Sequence, residues 1–103
     1  MDKQIQSRAD YHRVLDETYK KVKALVPKRP SNKWLEEIWF QLDAMQRWTK
    51  DDRAPTPDER KHIKVGPISA YALCPNDNDE DLMALRPTLS ELHWYFVYWE
   101  DGA

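Results

Sequence analysis

The amino-acid sequence predicts an all-α single domain, an antiparallel helical hairpin covered by shorter C-terminal helices. Three observations carry that fold class. Apolar residues recur at three- and four-residue spacing over about residues 7–26, 32–49 and 85–99. Capping residues precede the helical runs, twice with a Glu three positions on (Thr56 with Glu59, Thr88 with Glu91). Only two glycines occur, Gly66 and Gly102, too few for the tight turns of β-hairpins or for phosphate-cradling loops.

The first helix is expected over about residues 7–26, with Tyr11, Val14, Leu15, Val22, Leu25 and Val26 on one stripe. Lys20, Lys21 and Lys23 crowd its last turns, where the helix dipole favours cations, and Pro27 and Pro30 end it. Ser31 suits the N-cap of a second helix over about residues 32–49. Its core stripe reads Trp34, Leu35, Ile38, Leu42 and Met45, with Trp39 at the edge and Phe40 near the opposite side. The short Pro-Lys-Arg-Pro link makes these two helices an antiparallel hairpin.

A polar loop over 50–55 leads to a third, short helix, where Thr56 caps, Pro57 occupies the first turn and Glu59 closes a capping box. Residues 65–73 are apolar and read as strand or helix; Pro67, the alanines and the lack of a partner strand favour a short buried helix. An acidic turn then enters Leu82-Met83-Ala84-Leu85. Pro87 is expected to interrupt that helix, and Thr88 with Glu91 to cap a final one reaching about Trp99. Its stripe is Leu85, Leu89, Leu92, Phe96 and Trp99, which leaves Trp94 and Tyr98 stacked on roughly the opposite face beside Glu91.

Composition narrows the function. A chain of 103 residues buries about 65% of its unfolded surface without staples. The single cysteine, Cys74, excludes an internal disulfide framework and reads as a buried, inert thiol. No apolar run approaches the about 20 residues of a membrane helix, and the polar Met1-Asp2-Lys3-Gln4 lacks a signal-peptide pattern, so a cytoplasmic location is expected. A net charge of −2 argues against a nucleic-acid binder.

No catalytic, metal or cofactor set is visible. His12, His62 and His93 fall on three different predicted helices, each expected to be solvent-exposed, and neither Ser69 nor Ser90 has a patterned base nearby. The run Asp77, Asn78, Asp79 hints at a calcium loop but lacks its glycine and distal glutamate. Helix capping by Asp79 explains part of the acidic run; four acids within five positions exceed what a cap requires, so Asp77, Asp79, Glu80 and Asp81 gain a contact role. Together with Phe40, Trp94 and Tyr98, the aromatics that helical phase directs outward, they form the expected partner-binding residues.

The order of these elements, with Leu35-Glu36-Glu37-Ile38-Trp39-Phe40-Gln41, Val65-Gly66-Pro67-Ile68-Ser69-Ala70 and Asp79-Glu80-Asp81-Leu82, resembles the small helical immunity proteins that type VI secretion systems pair with NAD(P)-glycohydrolase effectors. The likeness runs over about residues 7–97. It departs at Pro87, which falls in what resembles one continuous helix in the family, and in a longer loop around Pro55 and Pro57. The resemblance implies an antitoxin-like protein without chemistry of its own. Such a protein docks on a cognate toxin's catalytic domain and occludes its cleft, with no cofactor, small-molecule substrate, nucleic acid or membrane. The alternative is a small cytoplasmic adaptor or regulatory subunit that uses the same aromatic and acidic surface on a cellular protein.

Overall fold

The computed structural model describes residues 4–30, 32–72 and 80–99, the backbone alone over 69–72. Five α-helices follow one another, α1 (Arg8–Leu25), α2 (Lys33–Trp48), α3 (Pro57–His62), α4 (Val65–Ala72) and α5 (Glu80–Val97), and no strand occurs among the described residues. Short 3-10 turns, Val26–Lys28 and Lys50–Asp52, close α1 and α2. The radius of gyration is 13.2 Å, as expected of one compact unit of about 100 residues. No helix of the described residues is long and apolar enough to cross a membrane.

Each helix start is set by its cap. The Ser7 hydroxyl accepts from the Asp10 amide at 3.1 Å. Asn32 caps α2 by accepting from the Leu35 amide at 3.2 Å, in the role the sequence reading gave Ser31, which lies outside the described residues. Thr56 and Glu59 form the expected reciprocal box, with bonds of 3.1 and 2.9 Å. Arg53 forks onto Glu59 at 3.1 Å through both nitrogens and donates to the Trp48 carbonyl, so it ties α3 back to the end of α2.

The first two helices are antiparallel. Tyr11, early in α1, meets Thr49 at the end of α2, and Tyr19, later in α1, meets Trp39, earlier in α2. α5 packs on α1, and α4 bridges α2 and α5. Most of the stripe residues form the core: Tyr11, Val14, Leu15, Val22, Leu35, Ile38, Leu42, Met45, Leu85, Leu89, Leu92, Phe96 and Trp99 are all buried, joined by Ile63, Val65 and Ile68, while Leu25 and Val26 of the first stripe are half-buried against them.

Three expectations need correction. Pro87 does not end a helix; α5 continues through it and matches α1 in length, 18 residues. Proline inside a helix costs about 3 kcal/mol. The five apolar side chains that α5 buries on both sides of it, Leu82, Leu85, Leu89, Leu92 and Phe96, contribute about 1.5–3 kcal/mol each, so one continuous helix wins. Pro87 and Met83 are exposed, so the carbonyl that lost its donor lies on the water side. Trp34 is 47% exposed, because it sits in the first turn of α2 at the margin of the stripe. His93 is buried, not solvent-exposed: Gly66 lets α4 approach so closely that a Cβ there would lie 2.9 Å from the His93 ring.

Candidate functional site

The C-terminal turns of α5 build one wall of a groove. Glu91, Trp94, Tyr95 and Tyr98 lie at helical spacing on one face, and residues Ile5, Gln6, Ser7 and Arg8 form the facing wall. Asp52 and Ser90 complete a lining that encloses about 790 Å³. The N-terminal wall is held by the two residues expected to form a capping box. Thr88 accepts from Gln4 Nε2 at 3.0 Å and Glu91 Oε1 accepts from the Ile5 amide at 3.1 Å. Ile5 buries its side chain beside them.

Beneath the groove lies an aromatic knot. Tyr11 stacks on Tyr95 with centroids 5.1 Å apart and planes at 20°, and meets Trp99 edge-on at 5.2 Å and 86°. The Arg8 guanidinium lies 4.5 Å over the Trp99 ring. Its Nη1 also bonds Asp52 Oδ2 at 3.0 Å, while His12 Nε2 bonds Asp52 Oδ1 at 2.9 Å. Hydrogen bonds from His12 and then Arg8 hold the Asp52 carboxyl below its ordinary range, and Asp52 in turn holds the Arg8 guanidinium above its own. Burial pushes the Tyr11 phenol up, against the opposing hydrogen bond with Thr49.

Asp52 is placed by unusual backbone. Asp51 and Asp52 both adopt left-handed conformations, at φ 59° and 63°, a region that costs an L-residue about 1–2 kcal/mol and that Asp tolerates better than most. The turn brings the carboxylate to residues some forty positions earlier in the chain. Sequence reasoning missed Arg8, His12 and Asp52 for that reason; the paired aspartates after a helix were the one local signal.

On the outer side Trp94 and Tyr98 stack at 5.4 Å and 15°, 50% and 68% exposed, as helical phase indicated. His93 meets the Trp94 indole edge-on at 4.9 Å and 88°. The other expected contact residues lie elsewhere. Phe40 is exposed on α2 and stacks on Trp39 at 5.7 Å and 17°; it does not line the groove. Glu80 and Asp81 are exposed at the start of α5, about 20 Å of helix away from Trp94 at 1.5 Å per residue. Asp81 lies 3.5 Å from Arg29 and lines a smaller groove of about 340 Å³ with Glu17, Lys21 and Leu25. Asp77, Asp79 and Cys74 lie outside the described residues. Neither Phe40 nor the acidic start of α5 therefore lies in the groove with the Trp94–Tyr98 stack.

Among the described residues no group of three His, Cys, Asp or Glu side chains could hold a metal ion. His62 Nδ1 lies 2.7 Å from the Asp58 carbonyl within its own helix, and His93 Nδ1 is buried without a hydrogen-bond partner. No family model, curated protein or solved structure matches this chain.

Proposed function

We propose that the chain is a protein-binding module that works by covering a partner's surface, and that the partner is the catalytic domain of a secreted toxin. The observation that carries the binding role is the Trp94–Tyr98 stack, half or more exposed on the wall of a large groove. Exposed Trp and Tyr held rigid by neighbours make strong interface anchors, because little side-chain freedom remains to be lost on docking. Toxin as the partner rests on the resemblance of the segments around Phe40, Gly66 and Asp81 to the type VI immunity family. On that reading the chain denies NAD(P) access to the toxin's cleft and performs no reaction.

The test is growth rescue. A toxin gene adjacent to this one, expressed alone, should arrest growth, and co-expression of the chain should restore it. Trp94→Ala with Tyr98→Ala should abolish rescue while the far-UV spectrum stays helical. Rescue by the double variant sinks this surface as the interface. A lack of any neighbouring toxin gene, with capture of a host protein that the double variant loses, favours the adaptor instead.

A further inference from the structure

Arg8 shows inside this molecule how a guanidinium is held: stacked on the Trp99 ring at 4.5 Å and bonded to the Asp52 carboxylate at 3.0 Å. A planar guanidinium does both at once, which an ammonium cannot. The same two ingredients recur on the outer wall of the groove. Glu91 and Trp94 stand three residues apart on α5, neighbours on one helix face, and both line the groove with Tyr98. Tyr98 stacks on the Trp94 indole and the His93 ring lies perpendicular to it at 4.9 Å, so two neighbours restrain the ring. Glu91 uses Oε1 for the Ile5 amide, and no Lys or Arg of the described residues pairs with it. A carboxylate offers about four acceptor positions, so it retains room for a fork. Asp52, the other acid in the groove, is already answered by Arg8 and His12.

We infer that the groove takes an arginine side chain presented by the partner protein, its guanidinium stacked on Trp94 and forked onto Glu91. This rests on the reading that the groove wall binds a protein, and it names the chemistry of that protein's contact. Charge complementarity selects the occupant. A lysine meets the carboxylate but forfeits the planar stack and the fork, and a neutral side chain forfeits the carboxylate.

The experiment titrates the peptide acetyl-Gly-Arg-Gly-amide into the full chain, with lysine and citrulline counterparts, and follows the indole N–H resonance of Trp94. The arginine peptide should move that resonance saturably, the lysine peptide should bind roughly two- to fivefold more weakly, and the citrulline peptide should do nothing. Glu91→Gln keeps the acceptor for the Ile5 amide and should weaken the arginine peptide by roughly two- to fivefold. Trp94→Ala should remove binding while the other four indole resonances stay in place. Equal response to citrulline, or an arginine response unchanged in Glu91→Gln, overturns the inference. Growth rescue separates its failure from that of the binding role. Loss of rescue in the Trp94/Tyr98 double variant, with measurably weaker toxin binding by Glu91→Gln, supports the arginine. Loss in the double variant with toxin binding unchanged in Glu91→Gln leaves the interface standing and overturns the arginine. Rescue retained in all of them overturns the interface, and the partner-borne arginine with it.

Discussion

Two indoles of α5 and its C-terminal extension, one on the wall of the groove and one beneath it, differ in their surroundings. Trp99 is buried, covered by Arg8 and edged by Tyr11 and Tyr95. Trp94, five residues earlier, is half exposed and stacked on an even more exposed tyrosine. Trp94 sits on the outward face of α5, whereas Trp99, beyond the last helical residue, turns inward onto Tyr11. The comparison teaches that aromatic content alone does not mark a binding site. The same residue type, over one and a half turns, acts as core and as surface, and what differs is whether the chain itself supplies the covering groups.

The largest expected effect breaks the inner side. Trp99→Ala should cost about 3–5 kcal/mol of stability, as deletion of a buried ring does. Trp94→Ala and Tyr98→Ala should stay within about 0.5 kcal/mol of the parent yet weaken partner binding by about 2 kcal/mol or more. Chemical denaturation beside a binding assay checks both, and equal destabilisation by Trp99→Ala and Trp94→Ala would erase the distinction.

Gly66→Ala comes next, because it presses on His93, whose ring contacts the Trp94 indole. In a helix this change ordinarily gains up to about 1 kcal/mol. Here the added Cβ meets the root of the His93 ring at 2.9 Å, and overpacking should instead cost about 1–3 kcal/mol. A stabilised Gly66→Ala variant would mean that α4 and α5 can separate freely.

The pH dependence then distinguishes the buried histidine from the paired acids. Burial lowers the His93 pKa from 6.5, so between the folded value and 6.5 the unfolded chain binds more protons. Stability should fall as pH drops through that window and level off below it. Asp10 and Asp52 are also lowered, mainly by hydrogen bonds from the Gln6 amide and from His12. Their contribution is present above the ordinary carboxylate range and is lost below about pH 4. Thermal melts of parent and His93→Gln should differ in slope just below pH 6.5 and converge in the acid limb. Identical slopes would assign the upper window to other groups.

The smallest effect concerns the turn that delivers Asp52. Asp51→Gly relieves a left-handed φ without touching Arg8 or His12, and should raise stability by up to about 1 kcal/mol. Asp52→Gly relieves the same kind of strain but releases both partners, so it should gain less than Asp51→Gly or lose stability. Parallel denaturation curves rank the two.

What the sequence made legible was local. The Thr56–Glu59 box, the stripes of α1, α2 and α5, the helical choice over 65–72 and the outward phase of Trp94, Tyr98 and Phe40 all depend on residues within a turn or two of each other. Pro87 misled because its local cost is real but is outweighed by leucines buried on both sides. Thr88 and Glu91 have the spacing of a capping box, yet their side chains accept from Gln4 and Ile5, more than eighty positions away. The Arg8–Asp52–His12 set joins the start of α1 to the end of α2, and the proximity that makes it exists only after the hairpin closes. Spacing likewise could not reveal that Phe40 and Asp81 lie apart from the Trp94 groove.

The Ile5–Glu91 bond spans 86 positions, and this has a bearing on how the groove comes into being during translation. A ribosome emits one wall well before the other, which follows every helix between them. Until residues 91–98 leave the exit tunnel, the Ile5 side chain has no α5 to bury against. Contacts of such long separation close late in folding, because the intervening chain must first be ordered. A nascent chain therefore carries no complete groove until residues 91–98 have emerged and α5 can meet the Ile5 wall.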